Sequence, residues 1–425
     1  MSAPPASSTV LSFADARHVV EQQAGLILAG YVQGSGTESV PLLAAAGRFL
    51  AEPVVADRDL PPFPRSTRDG YVVRSTDLSQ LPATLEVIGE IKAGEHLDRI
   101  PAGVGSGQTA SIMTGAPVPA GADAVVMVEY SSPRGKLVEI TRSVAPGENI
   151  VPRGAEARSG MLLLDRGMRL NEAAIGLAAS VGKSRLQVYK RPRVAVLSTG
   201  DEIVGVDATP GPTQIRNSNS YSLASQILRA GGEPVLLPVA PDELQALLGL
   251  IQEGLKSDLL LLTGGVSMGR YDLVEQALSE LHAEFFFTGA KIQPGRPVVF
   301  GRCGASVPAR EKPAGYFFGL PGNPVSTMVT FELFVRSLLE ALAGHSPDGL
   351  RFLHVRLKKE ILIKTGLTRF LPAILSGEFE NSEVELVAWQ GSGDIAATAG
   401  ANCYIVIPPD RERMAAGEWV AVMMP

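Results

Sequence analysis

Apolar and polar positions along the chain follow different periods in different stretches, and the changes of period mark out its parts. Residues 1–8 are small and polar and read as a disordered tail. Ser12 can cap a helix running to about residue 29, with Asp15 in its first turn. A second helix is expected from Pro41 to about residue 51, carrying Leu42, Leu43 and Leu50. From Glu52-Pro53 to Arg74 prolines interrupt any helix, so the stretch reads as extended. Between 75 and 143 the pattern shortens to strands at 84–91, 109–113 and 123–129, separated by Gly/Pro turns. A helix follows at 171–181, with Gly182 beyond its end, and Lys190-Arg191-Pro192-Arg193 reads as a linker.

From Arg193 strands and helices alternate. Strands fall at 194–197, 234–239 and 258–262, and helices at 221–230, 242–254 and 272–281. Strands at 285–287, 298–300 and 316–318 lead into a long helix over 324–342. That is an α/β layer with a mostly parallel sheet. The tail returns to short strands at 354–357, 383–388, 403–407 and 419–423. The expected class is a multidomain α/β plus β protein: a central α/β domain, an inserted β-rich module and a C-terminal β domain. Its expected parts are the tail 1–8, a discontinuous helical domain over 9–57 and 144–188, the β insert 58–143, the α/β domain 189–345 and the C-terminal β domain 346–425.

At 425 residues, about three domains are expected at roughly 150 residues each. Composition narrows the classes: 45% hydrophobic and 19% charged residues describe a globular chain. A net charge of −6 argues against a general nucleic-acid binder, yet leaves room for an anionic small ligand held by a few arginines. The two cysteines, Cys303 and Cys403, lie far apart and form no redox or metal pair, which fits a reducing, cytoplasmic setting. The five histidines are scattered with no zinc spacing. Met1–Val10 lacks a basic n-region, so no secretory signal is expected, and no apolar run approaches membrane length, so no membrane partner is expected.

Chemistry concentrates in three loops of the α/β region. Ser198-Thr199-Gly200-Asp201-Glu202 follows its first strand and Thr263-Gly264-Gly265-Val266-Ser267 its third. Leu320-Pro321-Gly322-Asn323-Pro324-Val325-Ser326 follows the last and opens a helix. Loops after parallel strands share the carboxyl edge, where ligands bind. Glycines admit backbone N–H groups close to an anion. Asn323 as N-cap and Pro324 at the first helical position leave free N–H groups suited to phosphate. Asp201, Glu202, Asp242 and Asp272 add carboxylates to the rim, and oxygen ligands beside phosphates suit Mg²⁺. Each loop alone is also what a plain connector looks like, and Asp272 with Glu275 is also a plain capping pair. Gly391-Ser392-Gly393-Asp394-Ile395-Ala396 fits a dinucleotide fingerprint formally, but no convincing helix is expected after it.

These residues, taken in order, resemble the bacterial molybdopterin molybdenumtransferase family and the similar C-terminal region of gephyrin. The resemblance runs from about residue 9 to 425. It rests on Pro61-Pro62-Phe63 with Ser66 and Asp69-Gly70-Tyr71, on Ile112-Met113-Thr114-Gly115-Ala116 and on Arg153-Gly154. It continues through the three loops, Pro294-Gly295-Arg296-Pro297 and Gln390-Gly391-Ser392. It implies that adenylylated molybdopterin binds with Mg²⁺, molybdate is inserted and AMP is released. It also implies a homodimer whose discontinuous helical domain dimerises, with the site shared between one subunit's α/β domain and the other's N-terminal modules.

Residue by residue, the resemblance implies catalytic roles for Asp69, Thr114, Glu156, Glu202 and Asp242, the last two also as metal ligands with Asp201 and Asp272. It implies substrate contacts from Gly264, Gly265, Ser267, Asp272, Lys291, Gly322, Asn323 and Ser326. Arg296, Pro297, Arg369 and Ser392 are expected to face molybdate. Both molybdate and a phosphoanhydride are anions, so cations and N–H donors must hold them. Three departures stand out: Arg65 and Arg68 flank the turn before Asp69, where added cations can alter its pKa or bind phosphate. Arg296 replaces the usual Lys, and Glu156 is one methylene longer than the frequent Asp. Two other functions remain open: a molybdopterin adenylyltransferase, which shares the α/β module and is also a possible protein partner, and a non-catalytic gephyrin-like scaffold.

Overall fold

The computed structural model describes residues 9–30, 36–96, 102–265, 273–304 and 315–425. The chain forms two compact units. The larger comprises Met1–Glu38, Gly47–Ala51 and Gln187–Pro425, and the smaller Ser39–Ala46 and Glu52–Leu186. Among the described residues no helix is long and apolar enough to cross a membrane.

The larger unit is built on a six-stranded sheet in the order Glu233–Leu236, Arg193–Ser198, Leu259–Thr263, Gly315–Leu320, Val299–Cys303, Glu284–Phe287. The first four strands run parallel and the last two pairings are antiparallel. The expected mostly parallel sheet is what forms. Leu259–Thr263 and Gly315–Leu320 are buried along their whole length, as central strands covered on both faces must be. Successive side chains alternate between two cores. Val194, Val196, Leu259 and Leu261 face one, and Ala195, Leu197, Leu260 and Leu262 the other. Helices Leu244–Gly254 and Leu273–Glu280 cover the second core. Helices Asn219–Arg229 and Phe13–Ala29 cover the first.

Phe13–Ala29 begins where expected: Ser12 Oγ accepts the Asp15 N–H at 3.1 Å. Its buried residues Ala16, Val20 and Ala24 recur every four positions and join the α/β core. The compact units thus group this helix with the α/β sheet. The expected long helix over 324–342 is not uniform: Pro324–Thr330 and Arg336–Leu342 flank a π-helical segment, Phe331–Val335.

The C-terminal strands Arg351–Leu357, Thr368–Ser376, Glu383–Leu386, Cys403–Ile407 and Trp419–Met424 form a second six-stranded sheet with Ile292–Gln293. An additional pairing of Thr368–Ser376 with Cys403–Ile407 closes it around Val355, Leu371, Ile405 and Val422.

In the smaller unit a sheet runs in the order Ala124–Met127, Gly70–Val73, Gln108–Ile112, Ala83–Ile91, Leu137–Ile140, Ser131–Arg134. It too is covered on both faces, Tyr71 and Val73 on one and Val72 on the other. Helix Glu172–Ser180 is capped by Asn171, whose Oδ1 accepts Ala174 N at 2.9 Å, and Gly182 follows at φ +76. The helix expected from Pro41 to about residue 51 does not form. Only a 3₁₀ turn, Leu42–Ala45, follows the strand Thr37–Pro41. Gly47 then turns the chain at φ +74, which no helix accommodates.

Candidate functional site

The carboxyl edge of the parallel sheet has a switch point. The chain leaves Arg193–Ser198 for the strand on one side, then crosses to Leu259–Thr263 on the other. The loops after these two neighbours meet backbone to backbone. Thr199 N donates to Thr263 O at 3.0 Å, and a Cβ on Gly264 would lie 2.6 Å from Thr199 O. Gly264 and Gly265 sit at φ +91 and +62, where side chains are strained. The third loop joins them, because a Cβ on Gly322 would lie 3.5 Å from Gly264 Cα. The three glycine loops expected to share one edge do so.

The carboxylates lie on the first of these loops and the next one. Asp201 Oδ1 accepts Asp242 N at 3.1 Å, and Gly200 N donates to Ala240 O at 3.2 Å. The Glu202 carboxylate folds back over Gly200. All three acidic side chains are exposed. Among the described residues no three acidic, histidine or cysteine side chains converge to hold a metal ion by themselves. Any metal here would need oxygen ligands from a phosphate or water as well. Ser267 and Asp272 lie outside the described residues.

The Pro324 helix begins with Asn323 at the N-cap position, but its side chain makes no cap. Instead Asn323 Nδ2 donates to Ser392 Oγ at 2.8 Å, and Val325 N to Ser392 O at 3.0 Å. One N–H expected to be free for phosphate is thus taken by the tail loop. That loop is held by Asp394, whose carboxylate accepts Ala397 N and Gln390 N, each at 3.0 Å. The Ala397 bond, then the Gln390 bond, hold its pKa below the ordinary value. Only a one-turn helix, Ile395–Thr398, follows, far shorter than the helix that a dinucleotide fingerprint opens.

The Pro294-Gly295-Arg296-Pro297 segment packs on the same helix. Gly295 sits at φ +105, and a side chain there would meet the Thr330 methyl and approach Ser326 O to 3.6 Å. Ser326 is buried; Pro297 is half-buried, and Lys291 and Arg296 are exposed. Arg369 differs from them. Only 8% exposed, it pairs in register with Gln293, and its Nε donates to Gln293 Oε1 at 2.7 Å. Its Nη1 is buried and has no hydrogen-bond partner among the described residues.

In the smaller unit, Asp69 Oδ1 accepts both Thr114 N at 2.6 Å and Thr114 Oγ1 at 2.8 Å. The backbone bond, then the hydroxyl bond, lower the Asp69 pKa. Gly70 is required beside it, since any Cβ would overlap Val126 O. Arg65 turns to Glu156, Nη2 to Oε1 at 2.8 Å. Arg153 binds Asp59 rather than either carboxylate, Nε to Oδ2 at 2.7 Å. Three polar residues escaped the reading of the sequence: Asn217, Asn219 and Gln293. The first two stand in the polar run Asn217-Ser218-Asn219-Ser220, a helix-start signal that called for closer scrutiny.

Comparisons with known proteins agree with this architecture. Family models match in sequence over nearly the whole chain: the MoeA N-terminal region (domain I and II) over 11–182, a probable molybdopterin binding domain over 195–341 and the MoeA C-terminal region (domain IV) over 354–424. The molybdopterin molybdenumtransferase of Nostoc sp. is 38% identical over 313 residues, 72% of this chain and 70% of its own. That of Bacillus subtilis is 32% identical over 398 residues, 91% of this chain and 90% of its own. A crystal structure of the molybdopterin biosynthesis moeA protein from Pyrococcus horikoshii superposes with a TM-score of 0.75 at 28% identity, covering 98% of this chain and 100% of that one. The fold is thus that of a multidomain protein with a molybdopterin-binding α/β domain at its centre. The chain belongs to the MoeA family of molybdopterin molybdenumtransferases, enzymes of molybdenum cofactor biosynthesis.

Proposed function

We propose that the three glycine loops hold adenylylated molybdopterin and that Arg369, with Arg296, Pro297 and Ser392, receives molybdate. Insertion then releases AMP. The observation that carries the oxyanion site is the orphaned Nη1 of Arg369. A buried, charged N–H donor without an acceptor is costly. An oxyanion supplies the acceptor and the opposite charge together. Gly264, Gly265, Gly322, Asn323, Ser326 and Lys291, with Ser267 and Asp272, are the proposed pterin and phosphate contacts.

Asp201, Glu202 and Asp242, with Asp272, would hold Mg²⁺ together with the ligand's own phosphate oxygens. One or two of these carboxylates beside phosphate oxygens would suit that ion, which would polarise the phosphoryl oxygen. Asp69 with Thr114, and Glu156, are proposed as proton-handling groups. The two Thr114 bonds hold the Asp69 pKa below its ordinary value, so the group is a carboxylate at neutral pH and can accept a proton.

A homodimer is part of the same reading. In the smaller unit Val55 pairs with Leu162, and both side chains are about half exposed, beside exposed Met161. Exposed apolar neighbours of this kind suit a subunit interface. A cytoplasmic location fits two buried cysteines held as thiols rather than as a disulfide.

Titrating molybdate and the adenylylated pterin separately against Arg369→Gln tests the oxyanion site. Loss of a charge-assisted bond predicts roughly tenfold or more weaker molybdate use, with pterin affinity little changed. Equal weakening of both would move Arg369 to the nucleotide, and no weakening of either would make it a structural cation.

A further inference from the structure

We infer that Asn219 is a positioning residue for this reaction: its carboxamide clamps the two ligand loops on either side of it at a fixed separation. The inference rests on the proposed ligand edge. Asn219 Nδ2 donates to Thr263 Oγ1 at 2.9 Å and to Gly322 O at 2.7 Å. Thr263 ends the third parallel strand and opens Gly264-Gly265, while Gly322 belongs to the loop after the fourth. One amide nitrogen therefore ties both glycine loops to the first turn of the Asn219–Arg229 helix.

Ordinary helix capping does not account for these bonds. The N-cap position is Ser218, whose side chain makes no cap bond. The capping contact comes from Asn217, whose Oδ1 accepts Ser220 N at 3.1 Å. Asn217 is itself locked in a buried cluster: its Nδ2 donates to Ser220 Oγ at 3.0 Å, and Ser198 Oγ lies 3.2 Å from its Oδ1 and 2.9 Å from Ser220 Oγ. The cluster fixes the helix start to the end of the first parallel strand and leaves the Asn219 side chain for the crossing to the other two loops.

The orientation of the amide is determined by its partners. Gly322 O can only accept, so a flipped carboxamide would set oxygen against oxygen. Asn219 Oδ1 is then left buried without a donor among the described residues. Among the described residues the side chain is held by its two donated bonds. A clamp of this kind matters because glycines at φ +91 and +62 have little intrinsic preference for one conformation. Backbone N–H groups select an anion only when they are already aimed at it.

Two variants test the clamp. Asn219→Asp keeps the volume and removes both donors; Asn219→Ala removes the side chain. Hydrogen–deuterium exchange over 263–265 and 321–323 reads the loops directly, without ligand. Titration of adenylylated molybdopterin reads the consequence. The expected result is faster exchange confined to those segments and about tenfold or more weaker pterin affinity in both variants. The molybdate requirement at saturating pterin and the unfolding midpoint should change little. Unchanged exchange in both segments would overturn the clamp. Faster exchange throughout the unit with a fallen midpoint would overturn it too, leaving Asn219 merely structural. Faster local exchange with unchanged pterin affinity would show that the loops are clamped but hold no pterin, and the proposed ligand edge itself would fail.

Discussion

Single residues here owe their chemistry to neighbours that the sequence does not place beside them. Arg65 and Arg68 lie just before Asp69 in sequence, yet the Asp69 pKa is lowered by Thr114, 45 positions away. Arg65 pairs with Glu156 instead. Thr114→Val should therefore raise the Asp69 pKa only part of the way to the ordinary value, because the backbone bond remains. A carbon-detected NMR titration of the carboxyl reads this directly. The sign follows from linkage. A folded-state pKa below the unfolded value of about 3.9 stabilises the protein above that pH, and the gain is lost as pH falls through the lowered value. The variant should accordingly lose less stability on acidification than the parent. An unmoved pKa would assign the whole shift to the Thr114 N–H. Glu202 is a simpler case. Its carboxylate is exposed and folds over Gly200, so Glu202→Gln should leave the urea midpoint unchanged while weakening Mg²⁺-dependent turnover. AMP release with the parent's Mg²⁺ dependence would remove Glu202 from the metal site.

At the scale of elements, the helices with clear starts were legible and the irregular ones were not. Ser12 and Asn171 cap as their residue types require. The π segment Phe331–Val335 left no mark, because the pattern gives Glu332 the look of a solvent-facing position. In fact it is 1% exposed, drawn inward by Arg229, Arg336 and the Gln226 amide. Two tertiary partners, Arg229 and Gln226, and one cation a helical turn away outweigh the local preference for water. The strand Thr368–Ser376 was overlooked, and Pro372 in its middle is reason enough for a pattern search to reject it. Asn323 reads as a cap and spends its amide on Ser392, a residue 69 positions on. The charge cluster on the long helix makes a sharp test. Arg336 Nε donates to Glu340 Oε1 at 3.0 Å, and Arg336 also faces Glu332, both carboxylates being almost fully buried. Glu332 keeps Arg229, but removing Arg336 takes from the buried Glu340 the cation that faces it, a change that typically costs about 3–5 kcal/mol. Arg336→Ala should lose stability of that order in urea unfolding. A loss below about 1 kcal/mol, the range of surface pairs, would mean that water reaches these carboxylates.

At the scale of the whole molecule, the order of α/β and β regions was readable because each keeps its own period, and the meeting of the three glycine loops at one sheet edge followed from topology alone. What could not be read was how the chain groups into compact units. The helix Phe13–Ala29 shares the core of a sheet that begins at Arg193, and no local pattern encodes a partner that distant. Subunit association is the same kind of long-range property, and the smaller unit carries the clue to it. Val55 and Leu162 sit opposite each other on paired strands, 45% and 48% exposed, although both are residues that favour burial. If this face is the homodimer interface, apolar burial drives association, and ions should not screen it. The dimer should then persist as salt is raised from low to molar concentration. A charge at Leu162 would have to be desolvated in the interface and would cost nothing in the free subunit. Leu162→Asp should thus sediment as a monomer at micromolar concentration with an unchanged circular dichroism spectrum, while the parent sediments as a dimer at both salt concentrations. A parent that is monomeric at micromolar concentration would remove the homodimer. A dimeric Leu162→Asp protein, or a parent dimer that dissociates in high salt, would place the interface on a polar surface elsewhere.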